Sequence, residues 1–263
     1  MLAWTRTHRL VIWTLTALVV GVFYVAPFAV IALASFAGEW NGLLPSQMTL
    51  EHYADALTGD SAAALRVSLI TAVLASAISL VMGAWAALAL RAFARPSARL
   101  LDMLFFLPSA VPSVSIGLGL LVAFSHPPLL LNGTIAIVMI AHVVLISAFT
   151  YGNVSAGLAR LPPDFEQVAA SLGARPLYRL VHVTLPMILP QLLAAFSLSF
   201  ALSMGELGAT VMVYPPGWVT LPVGIFSLSD RGEIFDGSAL TVLLIAATLT
   251  VLLTLSAVTR QRG

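Results

Sequence analysis

Residues 162–190 read PPDFEQVAASLGARPLYRLVHVTLPMILP. In the first half, apolar residues recur at i, i+3, i+4 and i+7, the spacing of one helix face: Phe165, Val168, Ala169 and Leu172. Asp164 is placed to cap this helix, with Gln167 reaching back as in a variant capping box. Gly173 occupies the position after a helix end, and Pro176 suits the first turn of a following helix. We therefore predict a short helix, a glycine bend and a second short helix before Leu185-Pro186.

The apolar face of the first short helix requires a covering surface, because apolar side chains in water are unfavourable. One interpretation is that it packs against the ends of this chain's own helices. The other is that it docks in a groove of a cytoplasmic partner, which small Ala169 and Ala170 beside bulky Phe165 would suit. The sequence leaves both open.

Long apolar stretches flank this segment and fill most of the chain. Of 263 residues, 60% are hydrophobic and 9% charged, with a mean hydropathy of +1.01. Soluble domains are about 45–50% apolar and about 25% charged, and a helix needs about 20 apolar residues to span a bilayer. Six stretches are long enough, near 10–36, 64–92, 100–124, 133–158, 188–213 and 237–258. We predict an all-α polytopic membrane protein with six transmembrane helices, a single domain over 1–263 and a cytoplasmic loop over about 159–187.

The composition excludes several function classes. It argues against a soluble enzyme, a disordered chain and a nucleic-acid-binding module. The chain has no cysteine and no lysine, so it has neither Cys-ligated metal sites nor the lysine of a phosphate-binding loop. It also lacks HExxH, GxSxG and paired-carboxylate motifs. We expect no catalytic residues, no metal and no cofactor, which argues against an intramembrane enzyme.

The distribution of arginine predicts the orientation. With a cytoplasmic N-terminus, the inner segments contain ten of the 12 arginines: Arg6, Arg9, Arg91, Arg95, Arg99, Arg160, Arg175, Arg179, Arg260 and Arg262. The outer segments contain seven acidic residues: Glu39, Glu51, Asp55, Asp60, Asp230, Glu233 and Asp236. Arginine and lysine are enriched in cytoplasmic loops. We therefore expect both termini in the cytoplasm.

The segment quoted above resembles the EAA loop of the inner-membrane permease subunits of binding-protein-dependent ABC importers. That pattern is Glu-Ala-Ala, three residues, Gly, nine residues, Ile, one residue, Leu-Pro. Aligned on Gly173, the opening triplet is Gln167-Val168-Ala169, and the end of the pattern falls on Val183, Leu185 and Pro186. Gln replaces Glu, with Glu166 immediately before it, and Val replaces the first Ala. The resemblance implies the type I importer (MetI-like) permease fold.

Other stretches resemble the sulfate, molybdate and phosphonate branch of this family. They are Leu107–Pro112 with Gly117–Gly119 in the third span and Gly205–Thr210 in the fifth. The stretch from Tyr214 to Asp230 is most similar to permeases for 2-aminoethylphosphonate. The resemblance implies transport of that compound or a related phosphonate, with molybdate, sulfate or another small solute as alternatives.

The resemblance also implies the partners of this chain: cytoplasmic ATPase subunits, a second permease subunit and a periplasmic substrate-binding protein. It implies that the chain itself lies in the bacterial inner membrane, in contact with lipid. Homodimer and heterodimer both remain open, and the common arrangement in this branch favours non-identical permeases. The residues implied in contact with the ATPase are Phe165, Glu166, Gln167, Val168, Ala169, Leu172, Gly173, Leu185 and Pro186.

A polar stripe is predicted inside the fifth span. Ser199, Ser203, Glu206 and Thr210 are spaced i, i+4, i+7 and i+11, as on one helix face. A charge at such depth costs at least about 2.5 kcal/mol and normally faces a cavity or a partner. The stripe therefore lines a translocation path or forms structural hydrogen bonds, and the ionisation of Glu206 is open.

Two further polar features fall in the third and fourth spans. Pro108 and Pro112, with Ser109 and Ser113, predict a broken third span whose serines join the path candidates. His142 is a lone histidine among apolar neighbours, which favours a hydrogen-bonded core residue over a metal ligand.

The alternative of another class is a stand-alone secondary transporter. Such proteins usually carry more intramembrane ionisable groups or matched broken helices in inverted halves. They also do not require a helix that docks to a cytoplasmic partner.

Overall fold

The computed structural model describes residues 6–91 and 95–260, without the side chains of 95–99 and 258–260. The side chains of Arg95, Arg99, Arg260 and Arg262, on which the predicted orientation partly rests, lie outside the described part. The chain divides into two compact units, Met1–Ala62 with Gly224–Ile245 and Ala63–Val223 with Ala246–Gly263.

The first described helix of the first unit is Arg6–Ala34, which is strongly apolar after its polar first turn. It consists of α1 (Arg6–Val20) and α2 (Ala26–Ala34), joined by a π-helical turn at Gly21–Val25. Its large apolar side chains are exposed, as suits a helix that faces lipid.

Two short strands, β1 (Ala37–Glu39) and β2 (Ser46–Met48), follow and pair antiparallel. The sequence did not predict this hairpin. The next short helix is α3 (Glu51–Ala56). The Thr49 hydroxyl accepts a 3.1 Å hydrogen bond from the Glu51 N–H, although the residue at the cap position is Leu50.

The remaining helices are α4 (Gly59–Leu90), α5 (Arg95–Ala110), α6 (Ser113–Ala123), α7 (Ile135–Arg160), α8 (Pro163–Ser171), α9 (Pro176–Arg179), α10 (Leu185–Met187), α11 (Leu189–Met204), α12 (Thr210–Val213), α13 (Leu221–Asp230) and α14 (Ile234–Arg260). A π-helical turn at Leu180–Thr184 joins α9 to α10.

Within the described residues, four helices are long and apolar enough to cross a bilayer: Arg6–Ala34, α4, α7 and Ile234–Ala257 of α14. Two further helix pairs qualify only as bent spans. Leu100–Ala110 and Ser113–Ala123 meet at 101°, and Pro176–Met187 and Leu189–Met204 meet at 67°. The count reaches the predicted six if each bent pair is one span.

The bend in the third span agrees with its two prolines. The helix stops after Ala110, and Pro112 precedes the first residue of α6 in an extended conformation (ψ 135°). Pro108 remains inside α5. The prediction for the fifth span was wrong, because 188–213 is not one helix: α11 ends at Met204 and α12 starts only at Thr210.

The core of the second unit is formed by α4, α7 and α11. Ala87, Tyr151, Val154 and Ala195 are buried together in it. A Cβ on Gly83 of α4 would lie 2.8 Å from the backbone nitrogen of Tyr151, so only glycine permits this close approach of α4 and α7. The Ser79 and Thr150 hydroxyls form a 2.8 Å hydrogen bond between the same helices. Small residues therefore bring these two spans together, as in many membrane helix pairs.

Candidate functional site

The predicted loop helix exists as α8, but it starts differently from the prediction. Asp164 is not the cap: Pro162 occupies that position without a side-chain cap hydrogen bond, and Pro163 is the first helical residue. Proline suits the first position because it has no N–H to satisfy and its φ is already helical. Asp164 and Glu166 lie in the first turn, where the helix dipole favours negative charge.

The predicted glycine bend is confirmed. Gly173 has φ +83°, and its N–H donates to the Ala170 carbonyl at 2.9 Å. The Ala174 N–H donates to the Ala169 carbonyl at 3.0 Å. This pair of bonds is the Schellman motif, which ends a helix with a left-handed residue. Pro176 opens α9, also as predicted.

The apolar face of α8 is exposed. The exposed fraction is 50% for Phe165, 59% for Val168 and 84% for Leu172. The interpretation in which this face packs on the chain's own helix ends is therefore wrong for the described structure. Next to the face lies an open groove of about 450 Å³, lined by Ala169, Leu172, Gly173, Ala174, Arg175 and Tyr178.

Glu166 points away from this face, toward its own chain. Its Oε1 accepts hydrogen bonds from Arg91 Nη1 at 3.1 Å and from the Thr184 hydroxyl at 2.8 Å. Burial acts to raise the pKa of this carboxyl, but the hydrogen bonds from Thr184 and Arg91 outweigh it and hold the pKa below its usual value. Glu166 is therefore charged at neutral pH.

The remaining residues of the resemblance lie around α8 and at the start of the fifth span. Gln167 is exposed. Leu185 packs against the core of the second unit, while Pro186 is exposed. The helix turns by 67° just after them, between Met187 and Leu189. Leu185-Pro186 thus marks the junction between the loop segment and the fifth span.

Sequence reasoning missed the roles of Arg91 and Thr184 at this site. Arg91 was noticed only as a marker of the cytoplasmic side. The available signal was charge: an arginine at the end of one span and a glutamate in the next predicted cytoplasmic loop are expected on the same side of the membrane.

His142 organises a second polar cluster, inside the spans. The buried imidazole is hydrogen-bonded through Nδ1 to the Ser203 hydroxyl at 2.7 Å and through Nε2 to the Thr210 hydroxyl at 2.9 Å. It thereby links α11 to α12 across the break in the fifth span. The interpretation of His142 as a hydrogen-bonded core residue agrees with this geometry.

Glu206 lies in that break, so the predicted single face of four residues is not formed. Its Oε1 accepts a 2.7 Å hydrogen bond from the Ala209 N–H, and the Ser113 hydroxyl is also hydrogen-bonded to its carboxyl. A broken helix in a membrane leaves N–H groups without helical partners. Glu206 supplies the partner of the Ala209 N–H, and Ser113 is bonded to the same carboxyl.

Close backbone packing accompanies the break. A Cβ on Gly117 of α6 would lie 2.7 Å from the Ala209 Cα, and a Cβ on Gly208 would clash with the Ser113 hydroxyl. The bent third span and the broken fifth span therefore fit together only with glycine at position 117, and a side chain at position 208 would require Ser113 to move.

A cavity of about 150 Å³ lies beside this cluster, lined by Pro108, Ser109, Val111, His142, Leu145, Ile146, Phe149, Leu202 and Glu206. Of the predicted path residues, Ser109 and Glu206 line it, and Ser113, Ser203 and Thr210 bond to lining residues. Ser199 does not line it, and its buried hydroxyl has no hydrogen-bond partner among the described residues.

The chain is similar to known membrane transport proteins. The family described as binding-protein-dependent transport system inner membrane component matches residues 79–261. A Salmonella paratyphi A protein named "Putative 2-aminoethylphosphonate transport system permease protein PhnV" is 53% identical over 263 residues, covering 100% of this chain and 99% of that protein.

Two less similar proteins are also transport proteins. The Salmonella typhimurium sulfate transport system permease protein CysT is 31% identical over 233 residues, covering 83% of this chain and 84% of that protein. The crystal structure of a bacterial ABC transporter involved in the import of the acidic polysaccharide alginate matches with a TM-score of 0.75 at 15% identity, over 95% of this chain and 96% of that chain.

Proposed function

Because the chain belongs to the family of binding-protein-dependent transport system inner membrane components, the permease subunits of ABC importers, we propose that it carries 2-aminoethylphosphonate or a related phosphonate. It is a multi-pass inner-membrane transport subunit and not an enzyme; separate ATPase subunits hydrolyse ATP. The observation that carries the substrate proposal is the 53% identity, over the whole chain, to a protein named for 2-aminoethylphosphonate transport.

α8 and the turn that follows it are proposed as the ATPase contact. The nine residues are those implied above: Phe165, Glu166, Gln167, Val168, Ala169, Leu172, Gly173, Leu185 and Pro186. The exposure of Phe165, Val168 and Leu172 supports this proposal, because an apolar ridge next to an open groove suits a protein partner.

The polar cluster around His142 is proposed as part of the translocation path. The candidates are Ser109, Ser113, Ser199, Ser203, Glu206 and Thr210. The cavity lined by Ser109 and Glu206 supports this proposal. An acidic residue there is compatible with 2-aminoethylphosphonate, since the ammonium of that zwitterion is attracted to a carboxylate, whereas sulfate and molybdate have no cation.

The proposed assembly contains two ATPase subunits, a periplasmic binding protein and a second, non-identical permease subunit. Both units of the chain act as one permease domain, with the N- and C-termini in the cytoplasm. The exposed apolar side chains of α1 and α2, such as Trp13 and Phe28, suit lipid or a neighbouring permease. Substrate selectivity resides mainly in the binding protein, because Arg66 and Arg231 are the only arginines in the predicted outer segments.

A deletion strain tests the substrate. Without this chain, cells supplied with 2-aminoethylphosphonate as sole phosphorus source stop growing, and the intact gene restores growth. Molybdate- and sulfate-dependent growth, the controls, is unaffected. Normal growth on the phosphonate with loss of either control would overturn the substrate proposal and leave the importer family intact.

A further inference from the structure

The cytoplasmic side of the second unit contains a three-way junction at Glu166. The carboxylate belongs to α8, Arg91 follows the end of α4, and Thr184 closes the π-helical turn that leads into the fifth span. Both partners donate to the same oxygen, Oε1, at 3.1 Å and 2.8 Å. In addition, Arg179 Nη1 donates to the Glu166 backbone carbonyl at 3.5 Å.

We propose that Glu166 is a positioning residue that clamps α8 to the cytoplasmic ends of the second and fifth spans. The clamp transmits movement of the docked ATPase to the spans. This inference rests on the proposed function, since it takes α8 as the ATPase contact. It assigns Glu166 to the inner side of that contact rather than to the surface that meets the ATPase.

The direction of the side chains supports two separate faces on α8. At 100° per residue, Phe165, Val168 and Leu172 fall within a narrow arc, and Glu166 lies about 130° around the helix from its centre. The apolar side chains are exposed, whereas the Glu166 side chain is 29% exposed and engaged by its own chain. One face is thus free to bind a partner while the other holds the helix in place.

The position of the junction explains why movement would be transmitted. Arg91 directly follows α4, which packs against α7 through Gly83. Thr184 is buried and directly precedes Leu185, which packs on the same core. A displacement of α8 therefore pulls, through hydrogen bonds, on Arg91 directly after α4 and on Thr184 shortly before the bend into α11.

The Glu166–Arg91 ion pair should contribute little to the stability of the fold. Arg91 is 36% exposed, a cavity of about 400 Å³ lies beside the pair, and exposed ion pairs contribute little to stability. Loss of the Glu166 charge should therefore change coupling while the protein still folds and reaches the membrane. This makes the proposal testable by substitution.

The test uses the assembled transporter in proteoliposomes, with 2-aminoethylphosphonate as the transported probe. Two single variants, Glu166→Arg and Arg91→Glu, are compared with the charge-swapped double variant that combines both substitutions. Asp164→Asn is the matched control, because it removes a carboxylate from the same helical turn at an exposed position. The readouts are co-purification of the ATPase and the number of ATP molecules hydrolysed per substrate imported.

Each single variant should raise the ATP consumed per substrate imported by about 2- to 30-fold, which corresponds to a coupling energy of about 0.5–2 kcal/mol. The double variant should recover most of the loss, and Asp164→Asn should match the wild type. A wild-type ratio in both single variants, or no recovery in the double variant, would overturn the clamp. Failure of the proposed function is distinguishable, since the wild type would then import no phosphonate either.

Discussion

Gly173 determines how α8 ends. Its φ of +83° is accessible to glycine, while a Cβ there would meet no atom within 4 Å, so any penalty for substitution comes from the backbone alone. An L-residue in the left-handed region costs about 1–2 kcal/mol, and asparagine tolerates it best.

Gly173→Ala should therefore weaken the affinity for the ATPase by up to about 5- to 30-fold, the equivalent of 1–2 kcal/mol. Gly173→Asn should bind close to wild type. The affinity is measured with the purified ATPase in detergent. Equal binding by Gly173→Ala and wild type would show that the bend is not needed for docking.

His52 gives the first unit a pH dependence. Its Nδ1 bonds to Asp236 at 2.7 Å and its Nε2 donates to the Ala37 carbonyl at 3.0 Å. Burial lowers the pKa of His52, but the hydrogen bond and charge of Asp236, the Ala37 carbonyl and the charge of Glu51 together raise it above its usual value. The protonated histidine is thus favoured in the folded state.

A raised folded-state pKa gives stability that is complete below the ordinary pKa of histidine and is lost as the pH rises through the raised value. The wild type should consequently lose thermal stability over that window, relative to His52→Gln. Unfolding midpoints measured across the pH range in detergent check this. Parallel pH profiles for the two proteins would contradict it.

Individual residues were predicted well where chemistry is local. Gly173 and Pro176 have fixed backbone requirements, and both predictions are confirmed. Asp164 failed as a cap because Pro163 changed which residue starts the helix. The pairing of Glu166 with Arg91 spans 75 positions, so no local pattern reveals it.

At the scale of elements, the fit between the bent third span and the broken fifth span depends on Gly117. Gly119 lies two residues further along the same helix, and a Cβ there would meet no atom within 4 Å. The two glycines therefore form a matched pair, one against the Ala209 backbone and one in open space.

Gly117→Ala should destabilise the protein by about 1–3 kcal/mol, the usual cost of overpacking, and reduce transport. Gly119→Ala should be neutral or stabilising by up to about 1 kcal/mol, because alanine favours a helix interior. Thermal unfolding in detergent and uptake assays check both. A loss of stability in Gly119→Ala equal to that in Gly117→Ala would contradict the packing argument.

The elements also show where periodicity is insufficient. Pro108 and Pro112 correctly predicted the bend of the third span. The sequence predicts one continuous helix for the fifth span, because its apolar pattern continues through Gly205 and Gly208. The break is accompanied by the close approach of Gly117 to Ala209, a tertiary contact that the spacing of residues along the chain does not reveal. The Ala209 N–H is capped locally, by Glu206 three residues before it.

At the scale of the whole molecule, the composition predicted an all-α membrane protein, and the family match and helical structure confirm it. The length of an apolar stretch is a strong signal, because every helix that spans the bilayer needs about 20 apolar residues. The small hairpin at 37–48 escaped prediction, since three-residue strands carry little pattern.

The proposed orientation can be tested cleanly because the chain has no cysteine. Asn41→Cys in the first outer loop should react with a membrane-impermeant maleimide in spheroplasts. Ala170→Cys in α8 should react only after the membrane is opened. The reverse labelling pattern would place α8 outside and exclude ATPase docking.

The most direct test of the whole account is ATP-driven uptake of labelled 2-aminoethylphosphonate by the assembled transporter. Wild type should import the compound, and Phe165→Asp, which places a charge on the exposed ridge of α8, should abolish import and ATPase binding while the chain stays in the membrane. Asp164→Asn, one residue away, should import normally. Undiminished uptake with Phe165→Asp, or uptake in vesicles that lack this chain, would contradict the account.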